Sequence, residues 1–495
     1  MNLRINVRPF STLLAGLLLL LAGSIPLPAL TSFHSFPGGL EGARPQGMAL
    51  SNNFIYGVTT EGGSNGVGTV FSIGQNGSNL VSLHSFGALS GSPATNAEGA
   101  YPKCLILSGN TLFGSAGGGG TNGSGAIFSI NTNGSGFTDL YAFTAVSSLI
   151  NPINSDGYGP NSGLILVGDT LYGTTLQGGT NGQGTIFAVK TNGTGFKVLY
   201  AFTPLNPTTG MNNDGAQPGV GLAWSGSILY GTTWYGGNYG DGTLFAVNTD
   251  GTGFTNLYNF NYHGNDASAP PNQLTVSVGT LYGSTAVGGT NASGTIFSIG
   301  TNGLNFTNLY TFSLASPNFP YTNSDGSGPG PLILSSNILY GSTVGGGAAG
   351  NGTLFAIKTK GTGFTTLYTF NATSGALSTN SDGAAPVGNI LLWNNTLFGQ
   401  ASSGGPAGQG TLFNFSLATS SPQILILSAP QLSLGNANFL FTLSGPAGSN
   451  YVLQTSTNLQ NWSAVSTSAI PVGGSISLTN TASGLVQGFY RAHLQ

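Results

Sequence analysis

Between residues 164 and 202 the chain reads LILVGDTLYGTTLQGGTNGQGTIFAVKTNGTGFKVLYAF, and its apolar positions fall into four short runs, 164–167, 170–174, 185–189 and 196–202. Each run is too short for a helix and is rich in β-branched and aromatic residues, so the pattern predicts four strands. The breaks carry Gly168-Asp169, Gly178-Gly179 and Asn192-Gly193, pairs that reach positive φ cheaply and allow tight reversals. In the fourth run Phe196, Val198, Tyr200 and Phe202 alternate with Lys197, Leu199 and Ala201, so both faces of the expected sheet carry apolar groups. Such a sheet has to be covered on both sides.

The same pattern is written repeatedly. The second run returns at Tyr56-Gly57, Phe113-Gly114, Tyr230-Gly231, Tyr282-Gly283, Tyr340-Gly341 and Phe398-Gly399; the third at Val70-Phe71, Ile127-Phe128, Leu244-Phe245, Ile296-Phe297, Leu354-Phe355 and Leu412-Phe413. Seven units of four strands, recurring about every 58 residues, are the signature of propeller blades, which bury their faces by stacking on neighbours. The seventh unit lacks its fourth strand, and an orphan of that type, TSFHSF at 31–36, lies at the other end of the chain, matching VSLHSF at 81–86. An N-terminal strand that completes blade seven leaves its edge paired, whereas an open β-helix gives no reason for a split repeat. The expected fold is all-β: a seven-bladed β-propeller closed by an N-terminal strand, followed by a small β-sandwich. The glycine after the second-strand aromatic, as at Gly173 or Gly231, is expected to admit a neighbouring backbone.

Residues 1–29 read as an export signal: Arg4 and Arg8, the apolar run 13–22, then small residues and prolines to Ala29. The run is shorter than the roughly 20 apolar residues of a spanning helix, so the protein is expected outside the cytoplasm, extracellular, at the cell surface or periplasmic. The propeller is assigned to 30–420. After Ser420-Ser421-Pro422 the repeat stops, and 421–495 alternates short runs at 439–443, 451–455, 476–478 and 489–492, with Trp462 as an aromatic anchor, as in a β-sandwich.

Composition narrows the function. With 4% charged residues and a net charge of -3, no basic patch supports nucleic-acid binding. The 83 glycines suggest disorder, but 29 Phe and 18 Tyr at fixed places in the repeat require a packed core. The single cysteine, Cys104, has no intramolecular partner and reads as a buried thiol. The strings at 62–66 and 118–123 match nucleophile-elbow and dinucleotide patterns, yet both need a strand–turn–helix setting that is missing here. No catalytic residue is assigned. His34 and His84 stand where other blades have tyrosine and read as packing positions; His263 is alone in a linker.

Two sets of residues are candidates for function. The linkers between blades carry one acid each, Glu41, Glu98, Asp156, Asp214, Asp266, Asp325 and Asp382, with a proline four residues later. In one reading each carboxylate closes a tight turn through backbone N–H groups. In the other the acids ring the channel mouth and hold a cation, calcium being the candidate, helped by runs such as Asn154-Ser155-Asp156 and Asn323-Ser324-Asp325. Calcium takes six to eight oxygen ligands, and one acid per loop favours the turn. The second set is the blade-four loop, where Trp234, Tyr235, Tyr239 and Asp241 either stack on and hydrogen-bond a sugar or fill a wide gap between blades.

The repeat LYGTTxxGGxxGxGTIFxVxTxGxGFxxLYxF resembles the GloVer tandem repeat of exported bacterial proteins, over residues 31 to about 417. SNYVLQTSTNLQNWSAV and GFYRAHL resemble an immunoglobulin- or fibronectin-like module at the ends of such proteins. The resemblance implies presentation, sorting or adhesion and no established reaction. The last residues lack the apolar span, arginine cluster or sortase-like motif of anchored versions. The expected function is an exported, monomeric, non-catalytic binding or scaffold protein that takes glycans or another surface protein on its inter-blade loop face. The alternative is an extracellular polysaccharide-acting enzyme, a glycosidase or lyase, with a carboxylate pair from that face as acid and base.

Overall fold

The computed structural model describes residues 30–417, except 52, 161–162, 263–267, 269 and 271, together with parts of 426–494; the expected export signal lies outside the described residues. The chain divides into two compact units, Ala29–Ser416 and the remainder.

Blade three shows how the repeat folds. Its strands are Ile165–Val167, Thr170–Thr175, Thr185–Lys190 and Lys197–Ala201, antiparallel and in sequence order. Six other sheets among the described residues of this unit repeat the arrangement. In blades four and six the innermost strand is broken, into Ala216–Pro218 with Ala223–Ser225 and Ser327–Pro329 with Ile333–Ser335. The breaks fall at Gly219–Gly221 and at Gly330-Pro331, where the ladder loses side chains or an N–H donor.

The ring closes through the N-terminal strand. Leu30–Ser35 pairs antiparallel with Thr411–Ser416, from Leu30↔Phe415 to Ser35↔Thr411. The fully buried Phe36 then meets Phe71 of blade one edge-on, with centroids 5.3 Å apart. The same pair joins every blade to the next: Phe86–Phe128, Phe143–Phe187, Phe202–Phe245, Phe260–Phe297, Phe312–Phe355 and Phe370–Phe413, all at 5.2–5.5 Å. Each phenylalanine contributes about 1.5–3 kcal/mol by burial, so the seams form the apolar core of the molecule.

A second contact repeats at each seam. A glycine at positive φ before the third strand lies against the proline of the following blade, and a Cβ there would sit 2.6 Å from the ring Cδ at Gly68/Pro102, Gly184/Pro218 and Gly294/Pro329. Gly410 meets Pro45 in the same way, at 2.6 Å, so the junction of blade seven to blade one matches the others.

The glycine after the second-strand aromatic admits a ring, not a neighbouring backbone. Gly173 stands opposite Phe187 in the register, and a Cβ on Gly173 would lie 2.6 Å from Phe187 Cζ. Gly341 and Phe355 repeat this at 2.5 Å. The third-strand phenylalanine therefore folds across its cross-strand partner and meets the phenylalanine that ends the preceding blade.

In the other unit, Asn438–Ser444 pairs with Ile426–Leu427, Gln431–Ser433 and Ser475–Thr481, and Asn450–Ser456 pairs with Ser463–Ala469 and Phe489–Leu494. The four runs expected there lie within these strands. Among the described residues no helix is long and apolar enough to cross a membrane.

Candidate functional site

The linkers and the Gly-Gly loops share one end of the propeller, where the candidate acids lie. Asp156, Asp214, Asp325 and Asp382 are at most 5% exposed. Each accepts a hydrogen bond from the tyrosine of the preceding fourth strand: Tyr141 Oη to Asp156 at 2.7 Å, Tyr200 to Asp214 at 2.8 Å, Tyr310 to Asp325 at 2.7 Å and Tyr368 to Asp382 at 2.7 Å. The backbone N–H that follows that strand donates as well, from Thr144, Thr203, Ser313 and Asn371, at 2.9–3.0 Å. The hydroxyls of Thr144, Thr203 and Ser313 add a further bond. Asn371 has no hydroxyl, and Asp382 Oδ1 stays without a hydrogen-bond partner among the described residues. Burial, followed by the bond to the carboxylate, pushes the four tyrosine hydroxyls above their ordinary range.

In blades seven and one the partners change together. His84 Nε2 lies 3.2 Å from Glu98, which also accepts from Gly87 N at 2.9 Å. His34 faces Glu41 at 3.6 Å, longer than a hydrogen bond; burial lowers the His34 pKa and Glu41 opposes it. A shorter ring is matched by a longer acid. His84 thus does more than pack. Asp266 lies outside the described residues.

The asparagines two residues before the acids were the less obvious part. Asn154 donates to Thr144 O and Gly157 O at 2.8 and 2.7 Å and accepts from Gly157 N and Gly179 N, both at 2.9 Å. Asn96, Asn212, Asn323 and Asn380 make the equivalent bonds. The amide ties strand end, linker and Gly-Gly loop together, and the recurrence of Asn two residues before Asp was its signal. Among the described residues no three His, Cys, Asp or Glu side chains form a group suited to a metal.

The blade-four loop is built differently. Tyr235 pairs with Ala216 of the innermost strand, and Gly236 bridges Asp241. Asp241 accepts from Tyr262 N at 2.9 Å and Ser268 Oγ at 3.2 Å. Asn259 Oδ1 holds Asn238 N at 2.9 Å. On this fixed loop Tyr235 and Tyr239 are 47% and 51% exposed, with Tyr262 also exposed nearby, while Trp234 is half-buried. At the opposite end, a cavity of about 280 Å³ opens among Val167, Leu222, Trp224, Gln273 and Val276. Cys104 is buried, with Sγ 3.2 Å from Ser115 Oγ, and burial raises its pKa.

The family model of the Gloeobacter/Verrucomicrobia repeat matches residues 95–261, 145–327 and 206–378, together more than half of the chain. The chain belongs to this repeat family. Each matched window spans three blades with their linkers, the first running from the linker before blade two to the end of blade four. No curated protein matches the chain. Among solved structures it is similar to the oligogalacturonate lyase of Vibrio parahaemolyticus, at 9% identity and TM-score 0.48, over 81% of this chain and 96% of that one. It is also similar to the periplasmic gluconolactonase of Pseudomonas aeruginosa, at 16% identity and TM-score 0.40, over 74% and 96%. The β-propeller domain of the Trilobed protease from Pyrococcus furiosus matches at 8% identity and TM-score 0.42, over 76% and 95%.

Proposed function

We propose that this protein is an exported binding protein whose linker face takes a glycan, with the blade-four loop as the contact. The observation that carries this reading is the exposure of Tyr235 and Tyr239 on a loop pinned by both oxygens of Asp241. Pre-ordered rings lose little entropy on stacking against the C–H face of a sugar, and side chains that only filled a gap between blades would be covered. A glycosidase or lyase needs carboxylates presented to its substrate, whereas Asp156, Asp214, Asp325 and Asp382 are buried acceptors. Those four are therefore not presented as an acid–base pair. A surface protein is the other partner class this face would suit, and calcium, if it acts, would act through the linker acids.

The test is a glycan array probed with the purified chain, with calcium and with chelator, alongside Tyr235→Ala and Tyr239→Ala. Retention lost in both variants at an unchanged melting temperature supports the site. Variants that bind as the parent does, or that lose melting temperature alone, reject it, and release of reducing ends from a bound polysaccharide would favour the enzyme.

A further inference from the structure

The innermost strands share an unusual conformation just before their proline. Arg44 (φ 54°), Tyr101 (φ 57°), Gln217 (φ 54°) and Ala385 (φ 51°) are left-handed, as are Gly159 and Gly328 at the same place in the repeat. The seam demands it: each of these residues donates its N–H to the preceding blade, Arg44 to Gln409 O at 2.9 Å, Tyr101 to Val67 O at 2.9 Å and Gln217 to Gln183 O at 2.8 Å. Glycine meets that demand without the Cβ penalty that other residues carry, and blades three and six use it. The bond is made by backbone alone, so the side chains of Arg44, Tyr101 and Gln217 add nothing to the seam. They hold strained positions where glycine would serve.

What those side chains share is location. They stand at the linker-side mouth of the central channel, where the Arg44 side chain is 59% exposed and Tyr101 is 40% exposed. Lys103, two residues after Tyr101, is a partly buried base with no ion pair among the described residues. The nearby carboxylate, Glu61, is held by Arg44 at 3.0 Å. Burial lowers the Lys103 pKa and Glu61 only partly opposes this. Two cations thus stand near one carboxylate in a partly desolvated setting, which strengthens any anion contact. Blades five to seven offer Val287, Gly345 and Ser403 where blades one and four have Glu61 and Tyr235, so the rim is loaded on one side.

We infer that this side of the channel mouth binds the anionic group of an acidic glycan, Lys103 and Arg44 taking its carboxylate or sulfate and Tyr101 lying against its sugar ring. The inference rests on the glycan reading above. Within blade four, Tyr235 pairs with Ala216, the neighbour of Gln217, so the blade-four loop borders the left-handed position of its own blade. A neutral sugar would leave Lys103 without an anionic partner, because Glu61 is held by Arg44.

The experiment is calorimetric titration of the purified chain with alginate, carrageenan and cello-hexasaccharides, repeated at raised salt and with Lys103→Gln and Tyr101→Gly. Gln46 follows Pro45 as Lys103 follows Pro102, so the fold accepts glutamine there. The expected result is about tenfold tighter binding of an acidic oligosaccharide than of the cello-oligosaccharide, a difference that narrows with salt. Whether alginate or carrageenan wins separates carboxylate from sulfate. Lys103→Gln is expected to abolish the preference at an unchanged melting temperature. Tyr101→Gly is expected to weaken binding while the melting temperature holds or rises, because glycine suits that φ. Equal affinity for acidic and neutral sugars, or an acidic preference that survives Lys103→Gln, overturns the inference and leaves the blade-four reading standing. Absence of binding to every glycan overturns both.

Discussion

Tyr141 donates its hydroxyl to Asp156 at 2.7 Å while its ring lies flat on Phe196 of the next blade, with centroids 3.6 Å apart. One side chain thus orders the linker it precedes and the blade that linker enters. Tyr200 on Phe254 and Tyr310 on Phe364 repeat the arrangement at 3.7 and 3.8 Å, and His84 stacks on Phe137 at 4.0 Å. The carboxylate needs a donor because it is buried, and the donor is aromatic because it must also cover the neighbouring blade.

Tyr310→Phe separates the two roles. It keeps the stack on Phe364 and removes the 2.7 Å bond to Asp325, leaving that carboxylate to Ser313. Stability is expected to fall by about 1–3 kcal/mol, the cost of an under-satisfied buried acceptor. Chemical denaturation, with an unchanged slope, measures it.

The same bonds set an alkaline limit. The hydroxyls of Tyr141, Tyr200, Tyr310 and Tyr368 have pKa values raised in the folded protein, by burial first and the carboxylate second. A raised folded pKa means that the unfolded chain releases the proton first. The stabilisation is therefore complete below about pH 10, the ordinary tyrosine value, and is lost as pH rises beyond it. Melting temperature followed from pH 8 upward is expected to decline above that point, and less steeply in a Tyr200→Phe, Tyr310→Phe, Tyr368→Phe variant. Identical slopes for the two proteins would refute the assignment.

The architecture was legible because the repeat states each strand break seven times, and the orphan TSFHSF fixes how the ring closes. The linker acids were legible as positions only. The partner of Asp156 is 15 residues upstream in another element, and reading each site alone hides the joint change of Tyr with Asp to His with Glu that the chain displays at His34/Glu41 and His84/Glu98. The partner of Gly173 was hidden for another reason: only the register places Phe187 opposite it. The left-handed positions of Arg44 and Tyr101 carry no signal in their own side chains; glycine at 159 and 328 was the hint. The blade-four loop stood out because it departs from its repeat, which is also why its exposure has meaning.

Asn154→Ala tests the hub of the linker. It removes four bonds, two of them to N–H groups of Gly157 and Gly179 that lie in partly buried surroundings. A loss of about 2–4 kcal/mol is expected, from about 1 kcal/mol per bond, whereas Ser155→Ala beside it, at an exposed residue, is expected to change stability by less than about 0.5 kcal/mol. Equal effects from the two would mean that the amide is not the hub.

Gly173→Ala tests the close approach within a blade. The new Cβ would stand 2.6 Å from Phe187 Cζ, inside contact distance, and the ring is held from its other side by Phe143 and Phe196, at 5.3 and 5.8 Å between centroids. With nowhere to retreat, overpacking is expected to cost about 1–3 kcal/mol. Phe187→Leu alone opens the core and is also destabilising, but combined with Gly173→Ala it gives the methyl group its space, so the double variant is expected to lose less than the sum of the two. Thermal melting of the four proteins gives the coupling directly. Additive losses would mean that the ring is not the limiting contact and that the new methyl group is opposed by Leu164, whose Cδ2 lies 3.0 Å from the Cβ position.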